Sequence, residues 1–572
     1  MSTPETARTV WSVVGRHNDR VTIVDLAADG AENGRQTLAA GELARVIDAA
    51  GETRRWVFSD VTRWYPDLLR AGVRVARTHD LRLCHAILRN SAMVTDAGAL
   101  RRHSEWDVAA TESPPAGAPT LFELEPARTG GAPDAIEQVL AEFARQRTAV
   151  TAARDPGRLR LLLAAESAGA LIAAELHAAG VPWDTTVHDA ILIETLGRPG
   201  ASGVPTKIEA LAAEVRHALD DPAASLDSQP KLLRALHRVG VLAASTSRWE
   251  LADYDHPVIA PLLAYKKLMR LHTANGWSWL REWVADGRFR PVYVPGGVVT
   301  GRWASSGGGA LQLPRQLRPA VRADPGWVLI VADVAQLEPR MLAAMSADTA
   351  LAAASRGRDL YAGIVEKGVI TSRQDAKIAM LGAMYGATTG DSGRLVPALR
   401  RAYPGAMGLV DDAARTGEAG SVVSTWLGRT SPAPSALWHT VQAAASDGDA
   451  ADGERARRAA RDRGRFTRNF IVQGTAAEWA LAWLADLRQR LAALPDADAA
   501  TPISASGPLF SRRAHLAFFL HDEIIVHAPA EHADAAAAAV RDAASGATKL
   551  LFGQFPIDVP LDLRVTADAG KA

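Results

Sequence analysis

The sequence predicts an α/β protein, and three features of the residue pattern support that class. Short strand-like runs alternate with helical runs over residues 1–105. A long, mostly helical region follows, and the last part of the chain again contains buried, β-forming segments next to helices. Such a mixture of hydrophobic periods is typical of strands and helices that pack in layers. With 572 residues, the chain has room for roughly three to five domains.

The composition excludes several classes of protein. Hydrophobic residues make up 48% and charged residues 22%, as in soluble globular proteins. The single cysteine, Cys84, excludes an internal disulfide, so we expect a cytoplasmic protein. The N-terminus lacks the features of a signal peptide, and no apolar run reaches the ~18 residues of a membrane span. Basic and acidic residues number 64 each, so any basic groove must be local.

The elements follow one another in a definite order. Strand-like runs lie at 21–27 and 54–60, and a helical run at 80–90. A stretch rich in Pro, Gly and Ala at 112–134 marks a linker, and spacings of three and four predict helices over 135–290. The remaining predictions are a hairpin (291–303), a buried strand that runs into a helix (327–341), helices (346–464), polar loops (443–454 and 494–507) and terminal strands around an Ala-rich helix (531–545).

Two of the buried strands end in an acid. Asp333 follows the apolar run 328–331, and "FFLHDEIIVHAP" (518–529) places Asp522 between two apolar runs. A lone acid after a strand is most often a helix N-cap. Two such acids in one chain raise another hypothesis, namely that they converge to hold two Mg²⁺ ions. Two ions held by carboxylates stabilise both the attacking and the leaving oxygen of a phosphoryl displacement.

A third segment, 371–387, supplies positive charge at helical spacing. Arg373, Lys377, Leu381 and Tyr385 follow one another at intervals of four and share one face. An arginine and a lysine one turn apart, followed by an aromatic residue, form a plausible grip on a triphosphate with a base above it. The alternative is a surface helix with two basic residues and a tyrosine at its edge.

Together these segments resemble family A DNA polymerases, the group of bacterial DNA polymerase I, over about 250–565. The family's Asp-Tyr-Ser-Gln-Ile-Glu-Leu-Arg motif matches 333–340, its Arg, Lys and Tyr-Gly helix motif matches 373–386, and its His-Asp-Glu motif matches 521–523. Three further segments match in the right order: "VTGRWASS" (299–306), "LQLPRQLRPAV" (311–321) and "RFTRNFIVQGTAAE" (465–478).

The resemblance implies a role for each matched residue. Asp333 and Asp522 would ligate the two Mg²⁺ ions, for which Mn²⁺ could substitute, with the Val334 carbonyl as an extra ligand. Arg373, Lys377 and Tyr385 would contact the dNTP, and Tyr385 with Glu338 would form a floor that rejects a ribose 2′-hydroxyl. His521 and Glu523 would support the primer end. Gln336 is a further catalytic candidate. The candidate DNA contacts are Arg302, Gln312, Arg465, Asn469 and Gln473, with the arginine-rich run 455–468 as part of the duplex-binding surface.

The resemblance also implies a domain order. A ribonuclease H-like domain of the 3′–5′ exonuclease type, plus a linker, would be followed by a right-hand polymerase domain. The predicted boundaries are 1–134 for the exonuclease-like domain and linker, 135–290 for a helical connector and thumb, 291–345 for the first part of the palm, 346–464 for the fingers and 465–572 for the second part of the palm.

The chain departs from the family at several positions. Leu381 replaces an aromatic residue, Val334 and Ala335 replace Tyr-Ser, and Tyr361 replaces a histidine expected to contact the triphosphate. The Asn expected before Gln312 is missing, and Pro339 interrupts the start of the helix after Asp333. These changes predict a reduced rate or an altered nucleotide selectivity.

The exonuclease motifs are missing from the N-terminal region. Where an Asp-x-Glu pair should lie on the first strand, the run 24–27 offers Asp25 with Ala27, and Trp64 takes the place of the second acid. The third motif needs a tyrosine, but none occurs between Tyr65 and Tyr254. We therefore expect that the exonuclease fold is retained and its activity lost.

The sequence thus predicts a template-directed DNA polymerase for replication or repair. Its expected partners are primer–template DNA and dNTPs, and we expect a monomer that associates with the nucleoid and not with a membrane. Two alternatives stay open. One is a catalytically weak DNA-binding scaffold in repair, and the other is a 3′–5′ exonuclease.

Overall fold

A computed structural model describes residues 8–108, 131–309, 311, 313–387, 390–447, 449–498 and 502–570. The chain divides into two compact units. The larger unit comprises Met1–Gly180, Pro291–Leu311 and Asp324–Thr566, and the smaller one comprises Val181–Arg290, Gln312–Ala323 and Ala567–Ala572. Both contain helices and strands, so the predicted α/β class is confirmed. In the described ranges, no helix is long and apolar enough to cross a membrane.

The first part of the larger unit is a sheet covered by helices. Its strands are β1 (Trp11–His17), β2 (Arg20–Leu26), β3 (Glu32–Ala39), β4 (Arg55–Phe58) and β5 (Arg77–Asp80). Its helices are α1 (Leu43–Ala50), α2 (Val61–Arg70), α3 (Leu81–Leu88), α4 (Gly98–Arg102), α5 (Ile136–Thr151) and α6 (Pro156–Ala179). The strand order is β3-β2-β1-β4-β5, in which β4 runs parallel to β1 and β5 and the other pairs are antiparallel.

This sheet is buried on both faces, which explains its apolar strands. Val13 and Val14 are adjacent in β1 and point to opposite faces, because side chains alternate along a strand. Val13 shares a core cluster with Phe143 of α5, and Val14 shares another with Trp64 of α2. A strand that packs on two sides needs apolar residues at successive positions.

The smaller unit is mainly helical. Its helices are α7 (Thr185–Leu196), α8 (Thr206–Ala218), α9 (Gln229–Arg238), α10 (Arg248–Leu251), α11 (Ile259–Asn275) and α12 (Trp277–Trp283). Three short strands, β6 (Val181–Pro182), β7 (Val284–Ala285) and β8 (Arg288–Phe289), form a sheet in the order β6-β8-β7. The ring of Trp279 lies 5.4 Å from that of Trp183 and 4.8 Å from that of Phe289, so aromatic packing forms much of this core.

The rest of the larger unit contains a second sheet of four strands, a separate antiparallel pair of strands (the first two of those named next) and a group of helices. The strands are β9 (Val292–Val294), β10 (Ala304–Gly307), β11 (Trp327–Val334), β12 (His515–Leu520), β13 (Glu523–Pro529) and β14 (Leu561–Thr566). The helices are α13 (Leu337–Met345), α14 (Thr349–Ser355), α15 (Leu360–Glu366), α16 (Arg373–Tyr385), α17 (Gly390–Ala402), α18 (Pro404–Glu418), α19 (Ala436–Asp447), α20 (Ala450–Ala492), α21 (Gly507–Phe510) and α22 (Ala533–Phe552).

The second sheet has the order β12-β13-β11-β14, and all its pairs are antiparallel. Strand β11 lies in the middle, where Leu329 and Ile330 are fully buried. Its register places Asp333 opposite Glu523 of β13 on one side and opposite Asp562 of β14 on the other. The central position of β11 therefore brings the end of three strands, each with a carboxylate, to one edge of the sheet.

Helix α20 is 43 residues long and changes character along its length. Its first turns are exposed, and arginines there pair with acids of the same helix, as Arg455 does with Asp452 at 2.9 Å. Its second half is buried, and Trp479 and Trp483 have no exposed surface. The arginine-rich run 455–468 therefore lies on a single helix and is partly neutralised within it.

Most predicted elements are confirmed, and four predictions are wrong. The strand at 21–27 is the second strand, since β1 begins at Trp11. The second strand of the predicted hairpin begins only at Ala304. The segment 443–454 is not a loop, because α19 runs to Asp447 and α20 begins at Ala450. Pro339 does not interrupt α13, because it lies in the first turn, where a helix needs no N–H donor. The five domain boundaries stay predictions.

Candidate active site

Asp333 and Asp522 lie side by side. Asp333 is the penultimate residue of β11, and Asp522 lies in the two-residue turn that joins β12 to β13. Strand β13 pairs with β11 along its whole length, and the register ends with Glu523 opposite Asp333. The backbone N–H of Val334 donates a 3.0 Å hydrogen bond to the carbonyl of Asp522. The pairing of the two strands thus fixes the distance between the two acids.

The charge of Asp333 affects the ionisation of Asp522. Partial burial, and then the negative charge of Asp333, raise the pKa of Asp522 to about 6. A site that resists the ionisation of its own carboxylate favours a cation nearby. Mg²⁺ prefers oxygen ligands and is usually held by one or two carboxylates, with water and phosphate oxygens in its other positions. The pair Asp333 and Asp522 fits this open mode of binding, because the pairing of β11 with β13 sets two carboxylates side by side. Within the described residues no group of three or more His, Cys, Asp or Glu that could hold a metal ion is found.

The turn that carries Asp522 is strained. His521 has φ of 58°, a value that residues other than glycine rarely adopt. The N–H of Asp522 donates a 2.7 Å hydrogen bond to the carbonyl of Leu520, as in a γ-turn around His521. Strained backbone of this kind persists where the surrounding structure holds it, commonly at functional sites. Glu523, the next residue, is 8% exposed and begins β13.

Glu338 accepts two hydrogen bonds from separate elements. The hydroxyl of Tyr385, at the end of α16, donates to one carboxylate oxygen at 2.6 Å. The guanidinium of Arg302 donates to the other oxygen and forms an ion pair. Burial and the charge of Glu338 raise the pKa of Tyr385, so its hydroxyl stays protonated and remains a donor. The structure therefore brings together three residues that the sequence placed in three different motifs.

A second carboxylate, Asp359, connects Gln336 to Arg373. The Gln336 side-chain amide donates to Asp359 at 2.9 Å, and the Arg373 guanidinium donates to it at 2.8 and 3.2 Å. Asp359 also caps α15, since it accepts the N–H of Ala362. The Arg373 guanidinium lies 5.7 Å from the ring of Tyr361. Arg373 is thus exposed but already paired with an acid that sequence reasoning missed.

Lys377 lies one turn after Arg373 on α16 and is exposed. It has no hydrogen-bond or ion-pair partner among the described residues. Leu381, one turn further, is half-buried and packs against the core of the helical group. Arg373, Lys377, Leu381 and Tyr385 therefore lie along one face of α16, as predicted. The Lys377 ammonium group lies in the middle of that face.

The predicted DNA contacts are more scattered. Arg465 pairs with Asp462 one turn before it on α20, and Gln473 accepts a 2.9 Å hydrogen bond from the hydroxyl of Thr300. Asn469 is half-buried on the same helix. Gln312 lies outside the described residues. No contact joins Arg465, Asn469 and Gln473 to one another among the hydrogen bonds and ion pairs of the described residues, and the role of all these residues stays a prediction.

A cavity of about 260 Å³ is lined in part by Asp522 and Glu338. Six of the predicted residues line it: Arg302, Gln336, Glu338, Tyr385, His521 and Asp522. Sequence reasoning missed much of the apolar part of its wall, which includes Trp303, Phe519 and the small residues Ala476, Ala477 and Ala480 of α20. The spacing of those alanines gave a helical signal, but Ala is so common in this chain that it did not stand out.

The acids of the first sheet have structural partners. Strand β1 carries no carboxylate, and Asp25 lies on β2, where it accepts hydrogen bonds from Ser12 at 2.6 Å and from Arg54 at 3.1 Å. Asp80 accepts the N–H of Leu83 and caps α3. Trp64 is buried and donates its indole N–H to Ser59. Asp25 and Asp80 thus have structural contacts, and the loss of exonuclease activity stays a prediction.

Comparison with known proteins places the chain among polymerases. The sequence model of DNA polymerase family A matches residues 207–571, which is more than half of the chain. The thermostable DNA polymerase I of Thermus filiformis is 24% identical over 434 residues, which cover 69% of this chain and 46% of that protein. DNA polymerase I of Chloroflexus aurantiacus is 27% identical over 336 residues, or 54% of this chain and 32% of that protein. The chain thus spans about half or less of these relatives.

A solved structure shares the fold. The POL domain of Pol1 from M. smegmatis, solved in complex with DNA primer-template and dNTP, matches with a TM-score of 0.67 at 18% identity. The match covers 98% of this chain and 95% of that one.

Proposed function

The chain belongs to DNA polymerase family A, and from this premise we propose that it is a DNA-directed DNA polymerase. It would transfer a nucleoside monophosphate from a dNTP to the 3′-hydroxyl of a primer and release pyrophosphate, in replication or repair. The observation that carries this proposal is the pairing of β11 with β13, which sets Asp333 beside Asp522 next to a cavity. We further propose that it acts in the cytoplasm, which the free, buried Cys84 supports, and that it works as a monomer on nucleoid DNA.

Asp333 and Asp522 would hold two Mg²⁺ or Mn²⁺ ions, with the Val334 carbonyl as a further ligand. When bound, such ions supply charge stabilisation for the attacking and leaving oxygens of an in-line displacement. The chain's own contribution is to keep both carboxylates fixed at the edge of a rigid sheet. Because the strained turn at His521 leaves Asp522 little freedom, the geometry exists before the substrate binds.

Arg373 and Lys377 would bind the triphosphate of the dNTP. Lys377 has no partner in the described part of the chain, whereas Arg373 must exchange Asp359 for a phosphate oxygen. Glu338, held by Arg302 and Tyr385, would lie under the sugar and reject a 2′-hydroxyl, because its two oxygens are already engaged. Gln336 would act indirectly, since its side chain orients Asp359.

The remaining predicted residues would contact DNA. His521 and Glu523 would support the primer end beside Asp522. Arg302, Gln312, Arg465, Asn469 and Gln473 would contact the duplex. Phosphate contacts of this kind position a duplex, whereas contacts to base edges in the minor groove carry little sequence information. Such contacts suit an enzyme that accepts any template.

One observation favours a second candidate, a DNA-binding scaffold with weak catalysis. The Arg373 guanidinium is paired with Asp359, and Tyr361 and Leu381 stand where the family has other residues. A third candidate, a 3′–5′ exonuclease, has less support, because Asp25 is paired with Arg54 and β1 carries no carboxylate.

Primer extension by the full chain tests these candidates. A labelled primer on a longer template is incubated with dNTPs and Mg²⁺ or Mn²⁺, and DNA binding is measured separately by fluorescence anisotropy. We expect extension by the wild type and a loss of about a thousandfold or more in Asp522→Ala and Asp333→Ala, with DNA binding retained. Asp534→Ala, which removes an exposed acid of α22, is the matched control and is expected to extend normally.

Each alternative has its own outcome. DNA binding without extension by the wild type would support the scaffold and contradict the polymerase. Extension that survives Asp522→Ala would show that other carboxylates carry the reaction. A primer that shortens when dNTPs are withheld would support the exonuclease.

A further inference from the structure

Three neighbouring strands of the first sheet begin with an unusual row of side chains. Trp11 of β1 lies opposite Arg55 of β4, and Arg55 lies opposite Arg77 of β5. Residues in register on adjacent strands point to the same face of a sheet, so these three side chains lie next to each other. This row lies at the start of β1 and β4. Trp64, the position at which the second exonuclease acid was expected, lies on α2, which follows the other end of β4.

The row places two positive charges directly across from each other. Like charges at opposed positions in a sheet are destabilising. Neither Arg55 nor Arg77 pairs with a carboxylate in the described part of the chain. Burial, and then the charge of Arg77, lower the pKa of Arg55. The fold therefore tolerates a repulsion that a bound anion would relieve.

Two helices bring further arginines to the same face. Arg147 of α5 donates a 2.7 Å hydrogen bond to the carbonyl of Ala28 in the loop after β2. Gly30, in the same loop, has φ of 95°, and a Cβ there would lie 1.9 Å from the Arg147 guanidinium. Only glycine leaves room for Arg147 in this position. Arg160, in the first turns of α6, is exposed and has no acidic partner among the described residues.

The four arginines surround a cavity of about 700 Å³. Its lining in the described part of the chain contains four arginines and no Asp or Glu. One wall is aromatic, since the ring of Phe143 lies 5.0 Å from Trp11 and 5.5 Å from His79. Burial lowers the pKa of His79 to about 4, so this imidazole is neutral at pH 7, and it hydrogen-bonds to Gln146 at 2.8 Å. No residue of this lining is shared with the cavity beside Asp522.

We propose that this cavity binds a nucleoside polyphosphate, with the phosphates on Arg55, Arg77, Arg147 and Arg160 and the ring system toward Trp11. None of the four guanidinium groups has a carboxylate partner among the described residues, and four such charges call for a ligand with several negative charges, which arginine binds well as phosphate. The volume lies in the range of 300–1,000 Å³ that is usual for small-molecule sites. A lone phosphate would leave most of it empty. The aromatic wall suits the ring system of a base.

Titration of ATP into the full chain, without DNA or divalent ions, tests this site. To silence the proposed polymerase site, the titration uses the Arg373→Ala/Lys377→Ala variant as its background. We expect one ATP per chain in that background and a loss of affinity of at least tenfold when Arg55→Gln and Arg77→Gln are added. Arg35→Gln is the matched control, because Arg35 lies on the same domain but pairs with Glu32 and Glu137. It is expected to leave the affinity unchanged.

Thermal denaturation checks that the variants fold. Because the Arg55→Gln and Arg77→Gln substitutions remove the repulsion between the two guanidinium groups, this variant is expected to have a melting temperature no lower than that of its Arg373→Ala/Lys377→Ala background. Should that variant fail to fold, Arg160→Gln decides, since its side chain is exposed, and we expect a severalfold loss of ATP affinity. Inorganic pyrophosphate is titrated in parallel and is expected to bind at least tenfold more weakly than ATP. A ten-residue oligothymidylate is expected to bind with an affinity that does not depend on Arg55 and Arg77, because the proposed DNA contacts lie outside this cavity. Pyrophosphate affinity within tenfold of that of ATP, or oligonucleotide binding that is lost with these arginines, would overturn the proposal, as would ATP binding that is absent or independent of the arginines.

Discussion

The phenolic hydroxyl of Tyr385 lies 2.6 Å from one carboxylate oxygen of Glu338, to which it donates a hydrogen bond. Because Arg302 engages the other oxygen, Glu338 has both of its oxygens fixed by partners from different elements. Such a carboxylate cannot rotate freely to accept a new donor. The pair therefore forms a rigid surface at the floor of the cavity beside Asp522.

Replacement of Glu338 tests whether this surface selects the sugar. In Glu338→Ala, the efficiency of ribonucleotide incorporation relative to that of deoxynucleotides is expected to rise by about 10- to 100-fold, because the side chain under the 2′ position is gone. Tyr385→Phe removes only the hydrogen bond and is expected to give a smaller rise. Single-nucleotide incorporation measures both ratios.

The matched control is Glu366→Ala, which removes an exposed carboxylate that pairs with Arg358 away from the cavity. It is expected to leave the ratio unchanged. An unchanged ratio in Glu338→Ala would mean that another group rejects the 2′-hydroxyl.

Asp359 is expected to compete with the dNTP for Arg373. Asp359→Asn keeps an oxygen that can cap α15 but removes the negative charge that pairs with Arg373. An exposed ion pair contributes about 0–1 kcal/mol, so the KM for dNTPs is expected to fall by up to about fivefold. Steady-state kinetics measure this change. Asp348→Asn, which alters the cap of α14, serves as control. A higher KM would show that Asp359 positions Arg373 instead of competing for it.

Asp522 is expected to make the metal-free protein less stable as pH rises. Its pKa is raised from 3.8 to about 6 in the folded chain. Between pH 4 and 6 the folded chain therefore keeps a proton that the unfolded chain has released, and the free energy of unfolding falls across this window. Each pKa unit corresponds to about 1.4 kcal/mol, and solvent contact reduces the total, so we expect a loss on the order of 2 kcal/mol.

Denaturant unfolding in EDTA at pH 4.5 and pH 7.5 measures this loss. Asp522→Asn removes the titrating group, so its stability is expected to change less between the two pH values than that of the wild type. It is also expected to be the more stable protein at pH 7.5. Equal pH dependence in the two proteins would contradict the prediction.

Asp25 is expected to be a structural residue. Asp25→Asn weakens the ion pair with Arg54 while it retains an acceptor for Ser12, so we expect a loss of about 1–2 kcal/mol in the free energy of unfolding. Primer shortening in the absence of dNTPs is expected to be undetectable in both the wild type and the variant. Shortening that Asp25→Asn abolishes would contradict this structural role.

The sequence identified residues better than it identified their partners. Asp333, Asp522 and Tyr385 are found from local patterns, because an acid after an apolar strand and a helical spacing are visible in a few neighbouring letters. Asp359 is not, since its own pattern, an acid before a helix, only predicts an N-cap. Its contact with Arg373 spans 14 residues and depends on how two helices pack.

The same limit explains the wrong boundaries. Small polar residues at 443–454 favour a loop, yet this stretch is almost entirely helical. Asp449 caps α20 by accepting the N–H of Ala451 and of Asp452, and it thereby starts the long helix within the polar run. The row formed by Trp11, Arg55 and Arg77 could not be predicted either, because the order of the strands in the sheet decides which residues are neighbours.

The length of α20 has a consequence for how this protein can vary. One unbroken helix carries Arg465, Gln473 and the alanines of the cavity wall. Each residue in a helix adds 1.5 Å and turns the next side chain by about 100°. Insertion of one residue between Arg465 and Ala476 would turn that wall away from Asp522, although every amino acid that touches the site would still be present. The number of residues between Arg465 and Ala476 therefore sets which side chains of α20 face the cavity.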